Sequence, residues 1–195
     1  MPIRYFQVRI SHVLGHVNPN NGKTWADSSE YIFAFEAQNE AMHPQGNPSA
    51  LASWQCTMAE TIQNNLDGSG SILVSTGAGS YLNNSLLDPY FACAALDMLA
   101  IHAYGVSDFD TSRLQAYVTR ATGAGKKLIM QEWGACYTDP RTTAATAGAH
   151  LLGASGMATY GTGLQAWTQQ GSRGWDYEVG IDDSNWGALQ QANFV

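Results

Sequence analysis

The chain has 195 residues, 45% of them hydrophobic and only 13% charged, with a formal net charge of -7. That length and composition give one globular domain with a sizeable core and exclude a disordered chain. The acidic balance argues against nucleic acid and anionic membrane surfaces as partners, and the scarcity of charge leaves a surface of Ser, Thr, Asn, Gln and Gly that suits a neutral polymer.

The first residues, Met1-Pro2-Ile3-Arg4-Tyr5, lack the apolar centre of a secretory signal, so the chain is expected to be intracellular, or a mature or fragment form. No apolar stretch reaches the roughly 20 residues that span a bilayer. Residues 3–17 carry Phe6, Val8, Ile10, Val13, Leu14 and Val17 close to a helical period, and Asn18-Pro19-Asn20-Asn21-Gly22 ends that helix. Residues 31–36 predict a strand. Pro48 to Asn65 predicts a helix, opened by Pro48-Ser49. Ile72 to Ser75 predicts the next strand, followed by a Gly-rich turn, Thr76-Gly77-Ala78-Gly79. The apolar run from Leu96 ends at His102-Ala103-Tyr104. Thr111 to Gly123 predicts a helix and Lys127 to Glu132 a strand. In the Ala-, Gly- and Thr-rich tail, Ala144–Ala154 predicts a helix, and Met157–Tyr160 or Leu164–Trp167 a last strand.

Strands alternating with helices imply a parallel sheet with crossover connections, and in such α/β folds the chemistry gathers at the C-terminal strand ends. Asn39-Glu40, the turn after Ser75, His102-Ala103-Tyr104 and Glu132-Trp133 all fall at or just after such ends. Only 16 Asp and Glu occur in the chain, so Glu40 and Glu132, each after an apolar strand, stand out from surface charge. Two carboxylates facing each other across a cleft are what glycoside hydrolysis needs: one protonates the leaving oxygen, the other acts as nucleophile or base. Asn39 is a common turn residue as well as a hydrogen-bonding group beside the acid. His43, three residues after Glu40, is placed to line the cleft. Trp133, Trp167, Trp175 and Trp25 are candidate platforms for pyranose faces, although core packing is the expected role of Trp25, Trp54 and Trp186.

The cysteines are Cys56, Cys93 and Cys136; an odd number allows at most one bridge within the chain, and Cys56–Cys93 is the expected pair. No His, Asp, Glu or Cys cluster has metal-ligand spacing in the sequence, so no metal or other cofactor is expected. Gly77-Ala78-Gly79 lacks the Lys-Ser/Thr ending of a phosphate loop, and Ser75 and Ser80 lack a nucleophile-elbow setting.

At Phe35-Glu36-Ala37-Gln38-Asn39-Glu40, Ile101-His102-Ala103-Tyr104 and Gln131-Glu132-Trp133-Gly134 the chain resembles glycoside hydrolase family 5, in particular its fungal endo-acting members that cleave β-1,4 mannans or glucans. Trp175 to Ile181 looks like the segment closing such a domain. The resemblance implies a (β/α)8 TIM-type barrel, a retaining mechanism and secretion. It makes Glu40 the acid/base and Glu132 the nucleophile. Asn39 would bind the sugar 2-hydroxyl, His102 and Tyr104 would line the cleavage subsite, and Trp167 is the candidate platform from the last strand. The family's Asn-Glu ends the fourth strand, whereas one helix precedes it here. The expected architecture is therefore a partial barrel of about five parallel strands, with open edges that a homodimer, or the first helix packed over the gap, would cover. The expected partner is a polysaccharide or oligosaccharide. The competing expectation is a carbohydrate-binding or immunologically active protein that keeps the cleft without turnover.

Overall fold

The computed structural model describes residues 3–41, 47–66, 68, 71–103, 111–133 and 163–164. In chain order the elements are α1 (Ile3–Leu14), β1 (Ala34–Glu36), α2 (Pro48–Gln63), β2 (Leu73–Ser75), α3 (Leu82–Ser85), α4 (Asp88–Ala92), β3 (Met98–Ala103), α5 (Thr111–Gly123), β4 (Lys127–Trp133) and β5 (Gly163–Leu164). The five strands form one sheet in the order β1-β2-β3-β4-β5, every neighbouring pair parallel. Parallel neighbours put every C-terminal strand end on the same rim, which gathers the predicted constellations there.

α1 stops at Leu14, earlier than its apolar pattern suggests. Gly15 N–H still bonds back to Ser11 O, but Val17 then pairs with Thr24 in a short antiparallel bridge around a turn whose Gly22 has φ 71°. The helix lies on α2, with Gln7 Nε2 donating to Thr61 Oγ1 (3.1 Å) and the Phe6 ring meeting Trp54 edge-on at 5.3 Å. α2 begins where Asn47 Oδ1 accepts from the N–H groups of Ser49 and Ala50, with Pro48 in the first turn, where a missing N–H costs nothing. Trp25 is 40% exposed, with its ring edge-on to His16 at 5.9 Å, so it is no core residue; its place at a chain reversal sets this, against the expectation from size alone.

β1 is shorter than the predicted 31–36 because Tyr31 and Ile32 N–H both bond to Ser28 O, closing a turn before the ladder starts. The ladder then pairs Ala34 with Leu73, Phe35 with Val74 and Glu36 with Ser75. At the opposite end of the strands Asp97 joins neighbours: its Oδ2 accepts from Val74 N–H (2.8 Å), its own N–H donates to Val74 O, and its carbonyl accepts from Lys127 N–H. The core lies between the helices and one face of the sheet, centred on the fully buried Met58, Ile62, Val74, Leu99, Ile101 and Met130. The other side of the sheet opens on a cavity of about 360 Å³ lined by Glu36, Ser75, Met98, Ile129, Gln131 and residues 31–35. Beside it Tyr31 and Phe33 are 77% and 59% exposed. No helix among the described residues is long and apolar enough to cross a membrane.

Cys56 of α2 and Cys93 after α4 are joined by a disulfide that closes a loop with a separation of 37 residues. A cross-link over that length restricts the unfolded chain by roughly 3–4 kcal/mol. Cys56→Ser with Cys93→Ser should therefore lower the free energy of unfolding by about that amount, measured by urea denaturation of both forms. Cys136, the helix expected over Ala144–Ala154 and the segment Met157–Tyr160 lie outside the described residues; β5 occupies Gly163–Leu164, at the start of the second span expected for a last strand.

Candidate active site

The C-terminal rim holds a continuous hydrogen-bonded network. It starts at the turn after β1, where Glu40 has φ 44°, a left-handed conformation uncommon for a side chain of its size. Glu40 N–H donates to Gly77 O at 2.8 Å, which holds the turn against the loop following β2. The contact is close enough that a Cβ on Gly77 would lie 1.8 Å from Gln38 O, so only glycine fits. The Glu40 carboxylate is thereby delivered over the end of β3, where its Oε1 lies 2.7 Å from His102 Nδ1. Ser80 Oγ donates to its other oxygen, Oε2, at 3.0 Å.

His102 is fully buried. Its main-chain N–H donates to Ser85 Oγ (3.1 Å), and the same buried hydroxyl accepts from Gly79 N–H, tying β3 to the turn that carries Ser80. The ring is met from β4 by two consecutive residues. Gln131 Oε1 lies 3.2 Å from Nε2, and Glu132 Oε2 lies 3.5 Å from Nδ1. Consecutive residues of a regular strand point to opposite faces. Here the register slips between Ile101 and His102: Ile101 pairs with Met130, but His102 pairs with Glu132. Gln131 is the extra residue of a β-bulge, and the bulge turns Glu132 to the face that Gln131 already occupies.

One oxygen of Glu40, one of Glu132 and a ring nitrogen of His102 all lie within 4.8 Å of one another. A small cation could be shared at such distances, but hydrogen bonding to the imidazole accounts for the cluster without one. The two acids are accessible from the rim, with side chains 31% (Glu40) and 19% (Glu132) exposed. The geometry can present a proton donor and a nucleophilic carboxylate to the same bound atom pair.

Glu36 extends the network inward. Gln131 Nε2 donates to its Oε2 at 2.7 Å. Burial raises the Glu36 carboxyl above its ordinary value of 4.5, and the Glu132 charge adds to this, while the Gln131 bond and the His102 charge oppose it. A group raised in the folded state favours folding most below its ordinary value, and that contribution is lost as pH rises through the folded value. Glu36→Gln should therefore gain stability relative to the wild type as pH rises from acid to neutral, read from thermal unfolding over a pH series.

Of the residues expected at the site, Glu40, Glu132 and His102 meet directly. Asn39 is exposed on the turn beside Glu40, and Trp133 ends β4. His43, Tyr104 and Trp167 lie outside the described residues, as do Trp175 and Trp186. Sequence reasoning gave no role to Glu36, Gln131, Ser80 or Ser85. A charged residue inside the apolar run Ile32–Ala37 was a usable signal for Glu36; nothing local distinguishes Ser80 or Ser85 from other loop serines.

A family model described as cellulase (glycosyl hydrolase family 5) matches residues 23–171. The chain belongs to glycosyl hydrolase family 5. Solved structures agree with a family 5 fold. An endo-β-1,4-mannanase from Thermotoga petrophila superposes with a TM-score of 0.68 at 16% identity, covering 95% of this chain and 48% of its own. A family 5 mannosidase from Rhizomucor miehei gives 0.64 at 18% identity, covering 97% and 56%. A GH5-4 broad specificity endoglucanase from Clostridum cellulovorans gives 0.67 at 12%, covering 97% and 64%. This family 5 chain thus spans from about half to under two thirds of these structures, and its five parallel strands form a partial (β/α)8 TIM-type barrel. Among curated protein sequences none matches it.

Proposed function

We propose that this family 5 chain is a retaining, endo-acting glycoside hydrolase that cleaves β-1,4-linked polysaccharide of the mannan or glucan kind. The observation that carries the proposal is the approach of the Glu40 and Glu132 carboxylates, within 4.8 Å between nearest ligand atoms, across one buried histidine. Retaining enzymes hold their carboxyls roughly 5–5.5 Å apart, whereas inverting enzymes leave about 6.5–9.5 Å for a water. In the first step a Glu132 oxygen bonds to the anomeric carbon as the glycosidic C–O bond breaks, and the Glu40 proton goes to the leaving oxygen. In the second, water attacks the anomeric carbon, its proton goes to Glu40, and the Glu132 ester bond breaks. Asn39, beside the acid, would take the 2-hydroxyl. Tyr104 and His43 would line the subsite, and Trp133 and Trp167 would stack on pyranose faces. The disulfide supports secretion, since such bonds persist in oxidising compartments.

The test is reducing-end release from galactomannan, glucomannan and carboxymethyl-cellulose. Release supports the enzyme, and the preferred polymer names the substrate; no release from any of them sinks the reading. The competing reading is a carbohydrate-binding or immunologically active protein that keeps the cleft without turnover. Binding of mannan or glucan oligosaccharides without release would establish it. A second copy is the proposed cover for β1, which has a strand partner on one side only among the described residues, supported by the exposed Tyr31 and Phe33 beside it. A monomer by light scattering at micromolar concentration would overturn that.

A further inference from the structure

We propose that Glu36, acting through the Gln131 amide, fixes which nitrogen of His102 carries its permanent hydrogen, and so keeps a transferable proton between His102 and Glu40. The inference rests on the hydrolase reading for its purpose but not for its geometry. An ionised carboxylate only accepts hydrogen bonds. Glu36 Oε2, 2.7 Å from the Gln131 amide, therefore holds the NH2 end of that amide toward itself. The amide oxygen is left facing His102 Nε2 at 3.2 Å. An amide oxygen can only accept, so Nε2 must carry a hydrogen.

That assignment decides the proton count at the other nitrogen. With Nε2–H fixed, the 2.7 Å contact between Nδ1 and Glu40 Oε1 needs a proton of its own, on the ring or on the carboxyl. In the opposite tautomer the single ring hydrogen sits on Nδ1 and satisfies an ionised Glu40, and the pair holds one proton fewer. The fixed orientation therefore loads the acid. Once that proton has gone to the leaving oxygen, Nδ1 and Oε1 face each other as two acceptors, and recovering a proton from the attacking water relieves the conflict. Glu36 and Gln131 are positioning residues in this scheme, since they act on the acid through His102.

Among the described residues the ionisable groups facing the network are Glu36 and Glu40 on and after β1, His102 on β3 and Glu132 on β4. β2 and the turn after it bring Ser75 and Ser80, which do not titrate. Because burial raises the Glu36 carboxyl, its hold on the amide lapses at a higher pH than an ordinary carboxyl would allow.

The experiment compares the full-length wild type with Glu36→Gln and Gln131→Leu, each with 15N-labelled histidine, and records the ring-nitrogen resonances of the buried imidazole between pH 5 and 8. Wild type should keep the hydrogen on Nε2 through the neutral and alkaline part of that range. Both variants should gain a population with the hydrogen on Nδ1 alone. Turnover of the variants should fall by roughly 10–10²-fold on glycosides with a sugar leaving group, and by much less on an aryl glycoside whose leaving group needs no proton. Unchanged ring resonances in either folded variant would overturn the proposal, as would equal losses on the two substrate types. If the wild type cleaves neither substrate the hydrolase reading falls, and the resonances still decide the tautomer assignment.

Discussion

Glu132→Gln should lower polysaccharide turnover by roughly 10⁴-fold or more while leaving oligosaccharide affinity within a few fold. The amide keeps the size and one acceptor oxygen of the carboxylate, so the cleft keeps its shape. It cannot form the glycosyl ester, and the charge that faces the oxocarbenium-like transition state is gone. The substitution also removes the anion 3.5 Å from His102 Nδ1, but that nitrogen keeps its shorter contact to Glu40. Initial rates on the preferred polymer, with calorimetric binding of a short oligosaccharide, make the comparison. Turnover within about tenfold of wild type would remove Glu132 from the nucleophile role, since so small a loss is too little for a group that forms the covalent bond.

Gly77→Ala should be a highly damaging small substitution although it alters no charged side chain. The new methyl would meet backbone on three atoms, at 1.8 Å from Gln38 O, 2.7 Å from Gln38 C and 3.0 Å from Asn39 Cα, and backbone cannot rotate out of the way as a side chain can. Either the β1 turn or the β2 loop must move, and the Glu40 N–H to Gly77 O bond stretches with it. Overpacking of this kind costs roughly 1–3 kcal/mol, and a shift near 1 Å in a catalytic group costs about 10²-fold in rate. Thermal unfolding and initial rates together test it. A variant as stable and as active as wild type would mean that the turn carrying Glu40 adapts freely.

Much of this arrangement was legible in the residue order. Apolar runs of strand length alternating with helical periods specified parallel strands, and acids placed just beyond them specified the rim. Short strands were legible in position but not in length: Tyr31 and Ile32 have strand-forming side chains, yet both N–H groups are taken by Ser28 O. The two short helices Leu82–Ser85 and Asp88–Ala92 have too few residues for a period to show. In the site, Glu40 and Glu132 could be named because carboxylates are rare here and adjoin apolar runs. The partners that orient them could not. Ser80 and Ser85 are single hydroxyls whose roles depend on the loop bringing them to Glu40 and to His102 N–H. Gln131 adjoins Glu132 in sequence, and strict alternation would have placed it on the other face.

The extra residue in β4 has a further consequence, for how this strand tolerates change in length. Up to Met130 the ladder with β3 is regular, and from Glu132 it is regular again, one position out of step. A chain shortened by Gln131 alone would bring the two halves back into step, with Glu132 still opposite His102. A loss between Leu128 and Met130 would instead keep the glutamine and shift the hydrophobic residues before it across the sheet. The strand therefore carries the Glu132 carboxylate and the Gln131 amide as separable positions, and a regular ladder has room opposite His102 for only one of them.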